Sequence, residues 1–387
     1  MKRLMFYCQH ILGMGHLVRS MEIVRGLTHD FRVCFINGGE VIHNFEIPAG
    51  IEVVNLPAIK TDSEFRTLQT VDSTQDLAEV QAIRTGQLLQ VFDQFKPDVL
   101  MIELFPFGRR KFSFELIPLL KRVQETGRKT KVVCSLRDIV VTKQNREKHE
   151  EKVCTLMNQY FDLLLVHGDR QFQPLEETFS RVSDLQCEVH YTGYVVQPQP
   201  QITPPQIIPQ PLILVSVGGG RFGHELLHGV ADAAPILANQ IPHQIQMFTG
   251  PFAPDELLSD LQAKAANCPN LQVDRYTPNL LHYMNVADLS ISMSGYNTTM
   301  NILTTGVKAM ILPFTGNDDQ EQTIRSQKLE NLAVVEMIRH EQLVPEVFAK
   351  NIIRCLHKPF TRATFDFNGV DQTAQYLTQL VFAQCAA

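Results

Sequence analysis

The sequence lacks features by which several large classes of protein are recognised. It has no basic excess, because 35 Lys and Arg stand against 41 Asp and Glu for a formal net charge of −6. That balance argues against a protein whose main task is to bind nucleic acid. It also has no apolar run near the roughly 20 residues that span a bilayer. We therefore expect a cytoplasmic protein with no nucleic-acid partner, and peripheral contact with a membrane stays open.

Metal-binding patterns are missing as well. The eight cysteines lie far apart without a CxxC pair, which favours reduced, buried thiols over disulfides or zinc sites. There is no DxD spacing and no grouping of His, Cys and carboxylates of the metal-ligand type, so we expect neither a metal nor another cofactor. The basic and then apolar start of the chain is interrupted at Gln9 and His10. It predicts a first strand rather than a signal peptide.

Short apolar runs alternate with helical patterns along the chain, as a parallel sheet covered by helices requires. The candidate strands are residues 4–9, 32–36, 53–56, 99–103, 131–135, 163–166, 189–191, 212–217, 244–249, 271–274, 289–292 and 309–313. The candidate helices are residues 18–27, 76–95, 114–125, 148–160, 223–237, 254–266, 279–286, 297–304, 320–332, 343–356 and 372–383. The predicted fold class is α/β, with two Rossmann-like, doubly wound parallel-sheet domains facing a cleft.

A segment rich in Pro and Gln, QPQPQITPPQIIPQP, interrupts this alternation at residues 197–211. Neither a helix nor a central strand can form through it, so it marks a linker between domains. We place the first domain at residues 1–196 and the second at residues 212–360. A helix within residues 361–387 is expected to pack back across the hinge.

Ligands of open parallel sheets bind beyond the carboxyl ends of the strands, where loops lead into helices. In the first such loop, Gly13 and Gly15 allow a ligand to approach the backbone, and the helix start favours negative charge. His16 follows, and an imidazole there can remove a proton near neutral pH. A tight turn followed by a packed or capping His explains the same residues equally well.

The corresponding loop of the second domain contains Gly218, Gly219 and Gly220 between a strand and a helix. Successive glycines there form a backbone nest suited to a diphosphate, with a flexible turn as the alternative. The loop lacks the GxGxxG spacing of dinucleotide sites and the GxxxxGK[ST] pattern of P-loops. An NAD enzyme or a P-loop ATPase is therefore disfavoured.

Two further loops of the second domain carry polar residues at helix starts. In SGYNTT, Ser294 and Gly295 end a strand and Asn297 or Thr298 can cap the next helix, which leaves free amides as a second anion cradle. In the loop FTGNDDQEQ the carboxylates and side-chain amides could hydrogen-bond the hydroxyls of a sugar. Carboxylates at a helix start also stabilise the helix dipole, which explains the same residues without a ligand. The residues concerned are Asp318, Asp319, Gln320, Glu321 and Gln322.

Together these loops resemble the two-domain GT-B glycosyltransferases of family 28, which includes the bacterial enzyme that adds N-acetylglucosamine to lipid I. The motifs are GMGHLVRS near the N-terminus, VSVGGG, and SMSGYNTTMNILTTGVKAMILPF with the trailing DDQEQ. Gly306, Pro313 and Gln320 fall where the family pattern requires them. The resemblance covers the second domain well, and the first mainly through GMGH.

The resemblance implies an enzyme that moves a hexosyl group from a nucleotide-diphosphate sugar, with a UDP-sugar as the expected donor, by inversion and without metal. The donor would lie on the second domain and the acceptor, which is a sugar, a lipid or another small molecule, on the first. The glycines 218–220 and the Ser294 loop with Asn297 and Thr298 would hold the diphosphate. Tyr276 and Thr277 would contact the base, and Gln320, Glu321 and Gln322 the sugar.

One residue departs from the family pattern. The family usually has a Glu in the donor helix that accepts from the ribose hydroxyls, and here that position is Asn301. An amide can still bond a hydroxyl but carries no charge, which puts the identity of the donor and the activity itself in question.

On the first domain, His16 is the candidate base for the acceptor hydroxyl, and Asp138 is the alternative base. Asp138 could equally be a structural carboxylate paired with an arginine. Gly13, Gly15 and Arg137 are candidate acceptor-binding residues, together with Arg109 and Arg110 from the basic loop FGRRK. A solvated basic loop is the plain interpretation of that last segment, and recognition of an anionic acceptor or headgroup is the functional one.

Two other functions stay open at this point. A hydrolase or epimerase of the nucleotide sugar could use the same GMGHLVR loop and the same base. A protein that binds a nucleotide sugar without turnover would be consistent with Asn301.

Overall fold

The computed structural model describes residues 1–11, 15–42, 45–61, 67–72, 74–127, 129–141, 145–200, 211–316 and 320–382. The chain forms two compact units. One is made of Met1–Val196 together with Phe365–Ala387, and the other of Gln197–Thr364. Most of the predicted linker, residues 201–210, lies outside the described part.

Strands and helices alternate through both units. The strands are β1 (Lys2–Cys8), β2 (Phe31–Asn37), β3 (Ile51–Asn55), β4 (Ile59–Thr61), β5 (Leu68–Thr70), β6 (Val99–Glu103), β7 (Lys131–Arg137), β8 (Leu163–His167), β9 (Glu188–Tyr191), β10 (Leu212–Ser216), β11 (Gln244–Phe248), β12 (Leu271–Asp274), β13 (Leu289–Met293), β14 (Ala309–Leu312) and β15 (Glu336–Met337). The helices are α1 (Gly15–Leu27), α2 (Leu77–Phe95), α3 (Ser113–Glu125), α4 (Arg146–Tyr160), α5 (His224–Ala238), α6 (Asp255–Ala265), α7 (Leu280–Val286), α8 (Tyr296–Thr305), α9 (Glu321–Asn331), α10 (Pro345–His357) and α11 (Gly369–Phe382).

The first unit is built on a sheet in the order β3-β2-β1-β6-β7-β8-β9. Its neighbouring strands pair in parallel, and helices cover both faces, so the central strands are buried along nearly their whole length. The strand order reverses between β1 and β6. Such a switch point leaves a crevice at the carboxyl ends of the two strands, and ligands bind there in folds of this kind.

The C-terminal helix α11 belongs to the first unit. Leu377 and Val381 on α11 are buried in the same apolar cluster as Val24 of α1. A Cβ built on Gly26 would lie 2.0 Å from the Val370 side chain, so the absence of a side chain at this position allows the two helices to touch. The backbone is tied as well, since the amide of Tyr194 donates to the carbonyl of Asp366 at 2.7 Å.

A buried ion pair joins α2 and α3 to the loops above the sheet. The guanidinium of Arg84 donates to both carboxylate oxygens of Glu115, at 2.6 and 2.8 Å, and both side chains are 0% exposed. Arg84 also donates to the carbonyls of Gly38 and Pro57 at 2.9 and 2.7 Å. The pair therefore fixes the loops after β2 and β3 as well as the two helices.

The second unit has a sheet in the order β12-β11-β10-β13-β14-β15. Its strands also pair in parallel, with Ser216 of β10 opposite Ser292 of β13. The order reverses between β10 and β13, so the second switch point lies between the Gly218–Gly220 loop and the Ser294–Gly295 turn. Both candidate sites thus follow strands at a reversal of strand order.

The α/β prediction with two Rossmann-like domains is confirmed. The sequence analysis missed the short antiparallel hairpin of β4 and β5 and the two-residue strand β15. Neither shows a long apolar run or a clear alternation. In the described part of the chain, no helix has both the length and the apolar character that a membrane crossing requires.

The Arg84 pair yields a prediction about stability. Arg84→Gln leaves the Glu115 carboxylate buried without its partner, so we expect the free energy of unfolding of the first unit to fall by about 3–5 kcal/mol. The measurement is urea unfolding followed by circular dichroism. Arg122→Gln is the control, because Arg122 pairs with Asp93 at the surface with 45% of its side chain exposed; its unfolding midpoint should match the wild type. Equal midpoints for the two variants would contradict the prediction.

Candidate active site

A histidine and a buried carboxylate meet at the switch point of the first unit. His16 lies in the first turn of α1, the helix that follows β1, and Glu103 is the last residue of the neighbouring strand β6. The Nδ1 atom of His16 lies 2.7 Å from Oε1 of Glu103. Arg19, one helical turn after His16, donates to the same oxygen. Glu103 is 0% exposed and Arg19 1%, whereas 18% of the His16 side chain is exposed.

The charges around this cluster set its protonation. Burial alone would raise the pKa of Glu103, but His16, Arg19 and Arg109 outweigh burial and hold that pKa well below its usual range. Burial lowers the pKa of His16 to about 3, with Glu103 opposing the shift and the guanidiniums of Arg109 and Arg137 adding to it. At neutral pH the cluster therefore holds an ionised Glu103 and a neutral His16.

The tautomer of His16 follows from its partner. An ionised carboxylate only accepts hydrogen bonds, so the proton of the neutral imidazole must reside on Nδ1, which faces Glu103. Nε2 then carries a lone pair, and it makes no hydrogen bond to the described residues. This is the arrangement of an oriented general base, in which one nitrogen is held by a carboxylate and the other is available for a proton.

Asp138, the alternative base, has a different environment. It is 0% exposed, and the Tyr194 hydroxyl donates to its Oδ2 at 3.2 Å. Its Cβ packs so closely on Gly168 that a Cβ at that glycine would lie 2.6 Å away. This carboxylate holds the end of β7 in place, and its full burial favours His16 over Asp138 as the base.

The arginines predicted to contact an acceptor fall into two groups. Arg109 and Arg137 are partly buried, and their charges act on His16. Arg110 is exposed, as the interpretation of a solvated basic loop predicts, whereas Arg109 is partly buried and does not fit that interpretation. Gly15 begins α1, and Gly13 lies outside the described residues.

In the second unit, the glycine loop after β10 has one closely packed and one open side. Gly220 has a φ of +85°, and a Cβ there would lie 2.5 Å from the carbonyl oxygen of Thr249, so only glycine fits against the loop after β11. A Cβ built on Gly218 would meet no described atom within 4 Å, and a Cβ built on Gly219 would meet only the ring edge of Phe252, at 3.6 Å. The open side at Gly218 and Gly219 is the part that a ligand can approach.

The start of α8 corrects a predicted cap. We expected Asn297 or Thr298 to cap the helix, but the helix begins at Tyr296 with Gly295 at the N-cap position, and no side chain bonds the cap. The prediction was wrong because the chain enters the helix earlier than its polar residues suggest. Asn297 and Thr298 are first-turn residues instead. A Cβ on Gly295 would meet no described atom within 4 Å, so the space beside the turn before α8 is open on that side.

The polar residues before and within α9 have unequal roles. Gln322 lies over the turn, because its Oε1 accepts from the Phe314 amide at 3.0 Å and from the Ser294 hydroxyl at 3.3 Å. Gln320 is exposed at the N-cap position. Glu321 is buried and accepts from Arg325 at 3.0 Å, which argues against its predicted contact with a sugar. Asp318 and Asp319 lie outside the described residues.

The residues predicted for the nucleoside lie farther along the second sheet. The ring of Tyr276, after β12, is 51% exposed, and Thr277 accepts from the Asn279 amide at 3.1 Å. Asn301 lies on the second turn of α8 and is 5% exposed. Its Nδ2 donates to Oε1 of Gln197 at 3.4 Å, so a residue at the start of the linker occupies its amide.

Sequence reasoning missed several residues of these sites. Glu103 and Arg19 were not singled out, although a lone carboxylate at the end of an apolar strand was a usable signal. Phe222 and Phe314 were missed too. The centroids of their rings lie 4.6 Å apart. Phe222 follows β10, which borders the second switch point, and Phe314 follows β14, the strand next to β13. Among the described residues, no group of three or more His, Cys, Asp or Glu side chains is placed to hold a metal.

The chain was then compared with known proteins. A family model described as the glycosyltransferase family 28 C-terminal domain matches residues 213–368. The second unit is therefore a family 28 glycosyltransferase domain. No protein of curated function matches the sequence.

Solved structures share the fold of the whole chain. The calicheamicin glycosyltransferase CalG4 is 16% identical with a TM-score of 0.61, covering 100% of this chain and 96% of its own. MurG of Acinetobacter baumannii is 15% identical with a TM-score of 0.60, over 97% of this chain and 99% of its own. A UDP-glucosyltransferase of Polygonum tinctorium is 12% identical with a TM-score of 0.59, over 99% of this chain and 95% of its own.

These comparisons confirm the predicted GT-B fold and the predicted family 28 relationship. Glycosyl transfer is the activity of this class, and the chain is a glycosyltransferase. The family 28 match covers most of the unit whose glycine loop and α8 start are described above. His16 and the buried Glu103 lie in the other unit, outside the matched residues.

The His16 environment predicts an unusual titration. Because the pKa of His16 in the folded protein, about 3, lies below the ordinary 6.5, the ring should stay neutral as pH falls from about 8 to 5. The folded state then binds fewer protons than the unfolded chain below pH 6.5, so this residue destabilises the fold progressively down to pH about 3. NMR of the imidazole ring measures this, with the signal assigned by its loss in His16→Gln. A titration midpoint near 6.5 would contradict the lowered pKa of His16.

Proposed function

We propose that this glycosyltransferase moves a hexosyl group from a nucleotide-diphosphate sugar to an acceptor hydroxyl, with inversion and without a metal ion. The second unit binds the donor and the first unit binds the acceptor. The observation that carries the proposal is the pair of His16 and Glu103, which provides an oriented, neutral base at the carboxyl end of a parallel sheet.

The role of His16 follows from its free nitrogen. Nε2 accepts the proton of the acceptor hydroxyl while the oxygen attacks the anomeric carbon of the donor sugar. Glu103 is a positioning residue, since it holds Nδ1 and favours the imidazolium that forms when Nε2 takes the proton. Arg19 in turn fixes the carboxylate. Metal independence is supported by a base that needs no metal-bound water to act at neutral pH.

Besides taking up a proton, the site must stabilise the negative charge of the leaving group. As the new bond forms, the bond between the anomeric carbon and the donor phosphate breaks, and the nucleoside diphosphate leaves with the electron pair. The positive end of the α8 dipole and the open backbone at Gly218 and Gly219 offer partial positive charge to that anion. Gln322, whose Oε1 is already engaged, still has an amide NH2 that can donate to the sugar or the phosphate.

A UDP-sugar is the proposed donor class. The Polygonum tinctorium enzyme with the same fold is a UDP-glucosyltransferase, and the exposed ring of Tyr276 can stack on a base. The uncharged Asn301 should bind the ribose hydroxyls less strongly than a carboxylate would. Its contact with Gln197 must also be displaced before a ribose can bind there.

Two alternatives remain testable on the same protein: a hydrolase or epimerase of the nucleotide sugar, and a protein that binds the nucleotide sugar without turnover. A hydrolase would use His16 on water instead of a hydroxyl, and the nucleoside diphosphate would then be released at the full rate without an acceptor. A binding protein would hold the donor without turnover under any acceptor. An epimerase would return an altered nucleotide sugar. A cytoplasmic location and contact with a membrane stay predictions.

The donor site predicts selective stabilisation by one nucleotide diphosphate. A ligand that binds only the folded state raises the melting temperature, so we expect UDP, among UDP, GDP, dTDP and ADP, to produce the largest thermal shift without metal. Gly219→Asp should abolish that shift by placing a negative charge on the open side of the loop. Gly219→Ala is the matched control, because its Cβ makes only an ordinary contact with Phe252. An undiminished rise in the melting temperature of Gly219→Asp with UDP would show that this loop is not part of the donor site.

The base predicts a loss of turnover without a loss of donor binding. His16→Ala should lower kcat for nucleoside diphosphate release from UDP-sugars by about 10²- to 10⁴-fold, the usual contribution of a general base. Glu103→Gln should lower kcat as well and leave the UDP thermal shift unchanged. Assays with and without an acceptor pool, followed by product analysis, separate transfer from hydrolysis. Unchanged kcat in His16→Ala would rule out its role.

A further inference from the structure

Two phenylalanine rings meet at the carboxyl edge of the second sheet. Phe222 lies at the end of the glycine loop after β10, and Phe314 follows β14, with β13 between these two strands in the sheet. The ring centroids are 4.6 Å apart and the ring planes are inclined by 48°. Phe222 is 36% exposed. A single exposed apolar side chain is ordinary on a protein surface, so what distinguishes this pair is its surroundings.

Phe222 is held in place by a glycine on each side. Gly220 has a φ of +85°, and its backbone packs against the carbonyl of Thr249. Gly223 has a φ of +84°, and a Cβ there would lie 2.8 Å from the sulfur of Met293, the last residue of β13. Glycine adopts such φ values without strain, unlike other residues. The exposed ring therefore stands on a short segment that is fixed at both ends.

The amide group of Gln322 lies next to Phe314. Its Oε1 accepts from the Phe314 backbone amide at 3.0 Å and from the Ser294 hydroxyl at 3.3 Å. Because a backbone N–H can only donate, this contact fixes the amide group with its oxygen toward the turn and its NH2 away from it. Within the described part of the chain the NH2 group has no acceptor. An unengaged donor thus lies beside the aromatic pair.

The order of these features along the sheet edge matches the order of groups in a nucleotide-diphosphate sugar. Tyr276 follows β12, which forms one edge of the sheet. The glycine loop and the Ser294 turn follow the central strands β10 and β13, and Phe314 follows β14 on the far side. A donor with its base at Tyr276 and its diphosphate at the glycine loop has its sugar beside the two phenylalanines.

We propose that Phe222 and Phe314 bind the C–H face of the donor sugar while the Gln322 amide donates to one of its hydroxyls. A pyranose carries its equatorial hydroxyls around the edge of the ring and C–H bonds on its faces. The hydrogens of those bonds are slightly positive and are attracted to the negative face of an aromatic ring. Apolar walls with a few placed polar groups are typical of small-molecule sites. The inference rests on the proposed function, because it adds the sugar contacts to the proposed donor site.

The test compares a sugar nucleotide with its bare nucleotide. Isothermal titration of the full chain, without acceptor, gives Kd for UDP and for UDP-glucose, UDP-N-acetylglucosamine and UDP-galactose. The sugar nucleotide that binds the wild type most tightly is then used with the variants. In Phe222→Ala the ratio of its Kd to the Kd of UDP should rise about three- to tenfold, as expected for the loss of one aromatic contact. The Kd of UDP itself should stay within about twofold of the wild type.

Three further variants make the result specific. Phe222→Tyr keeps the aromatic face and should keep the wild-type ratio. Phe222→Leu keeps an apolar side chain without that face, so its ratio should rise as in Phe222→Ala, and it replaces that variant should the alanine fail to fold. Phe382→Ala removes a phenyl ring of the first unit that is 47% exposed, and its ratio should equal that of the wild type.

The outcomes separate this inference from the proposed function. Binding of UDP with an unchanged ratio in Phe222→Ala and Phe222→Leu would overturn the inference alone and leave the donor site in place. An equal weakening of UDP and the sugar nucleotide in those variants would assign Phe222 to the nucleotide or to the support of the loop, and would also overturn it. Absence of any binding of UDP and of its sugar conjugates by the wild type would overturn the proposed UDP-sugar donor together with the inference.

Discussion

The carboxylate of Glu103 is the interaction on which the geometry of the first unit's site depends. It is fully buried at the end of a central strand, where an isolated charge would be strongly disfavoured. His16 and Arg19 make it tolerable, and in doing so they are themselves fixed on the first two turns of α1. A buried charge that needs two partners is a rigid support, because losing either partner leaves the charge exposed to an apolar interior.

The two units offer different chemistry at their switch points. In the first, side chains supply a neutral imidazole and positive charge. In the second, the switch point offers backbone amides, with Gly218, Gly219 and Gly295 leaving the approach open. The protonation of side chains can be tuned, whereas that of amides cannot, so the proposed function assigns the proton transfer to the unit built from titratable groups. It assigns the leaving diphosphate to the unit that offers fixed dipoles.

Much of the fold could be predicted because strands buried on both faces read as apolar runs, and the helices between them keep their own period. His16 and the glycine loop could also be placed, since each lies between such a strand and the helix that follows it. The partnership of His16 and Glu103 could not, because the residues are 87 positions apart and meet only through the adjacency of β1 and β6. The start of α8 was misread for a local reason, since polar residues that usually cap a helix lie within its first turn here.

The low pKa of His16 bears on how the site would respond to a charged ligand. With a pKa of about 3, the imidazole is a weaker base towards any hydroxyl, water included, than an ordinary histidine. The charges of Arg109 and Arg137 contribute to this low value, so an anionic group bound near them would raise the pKa of His16 and make Nε2 a stronger base.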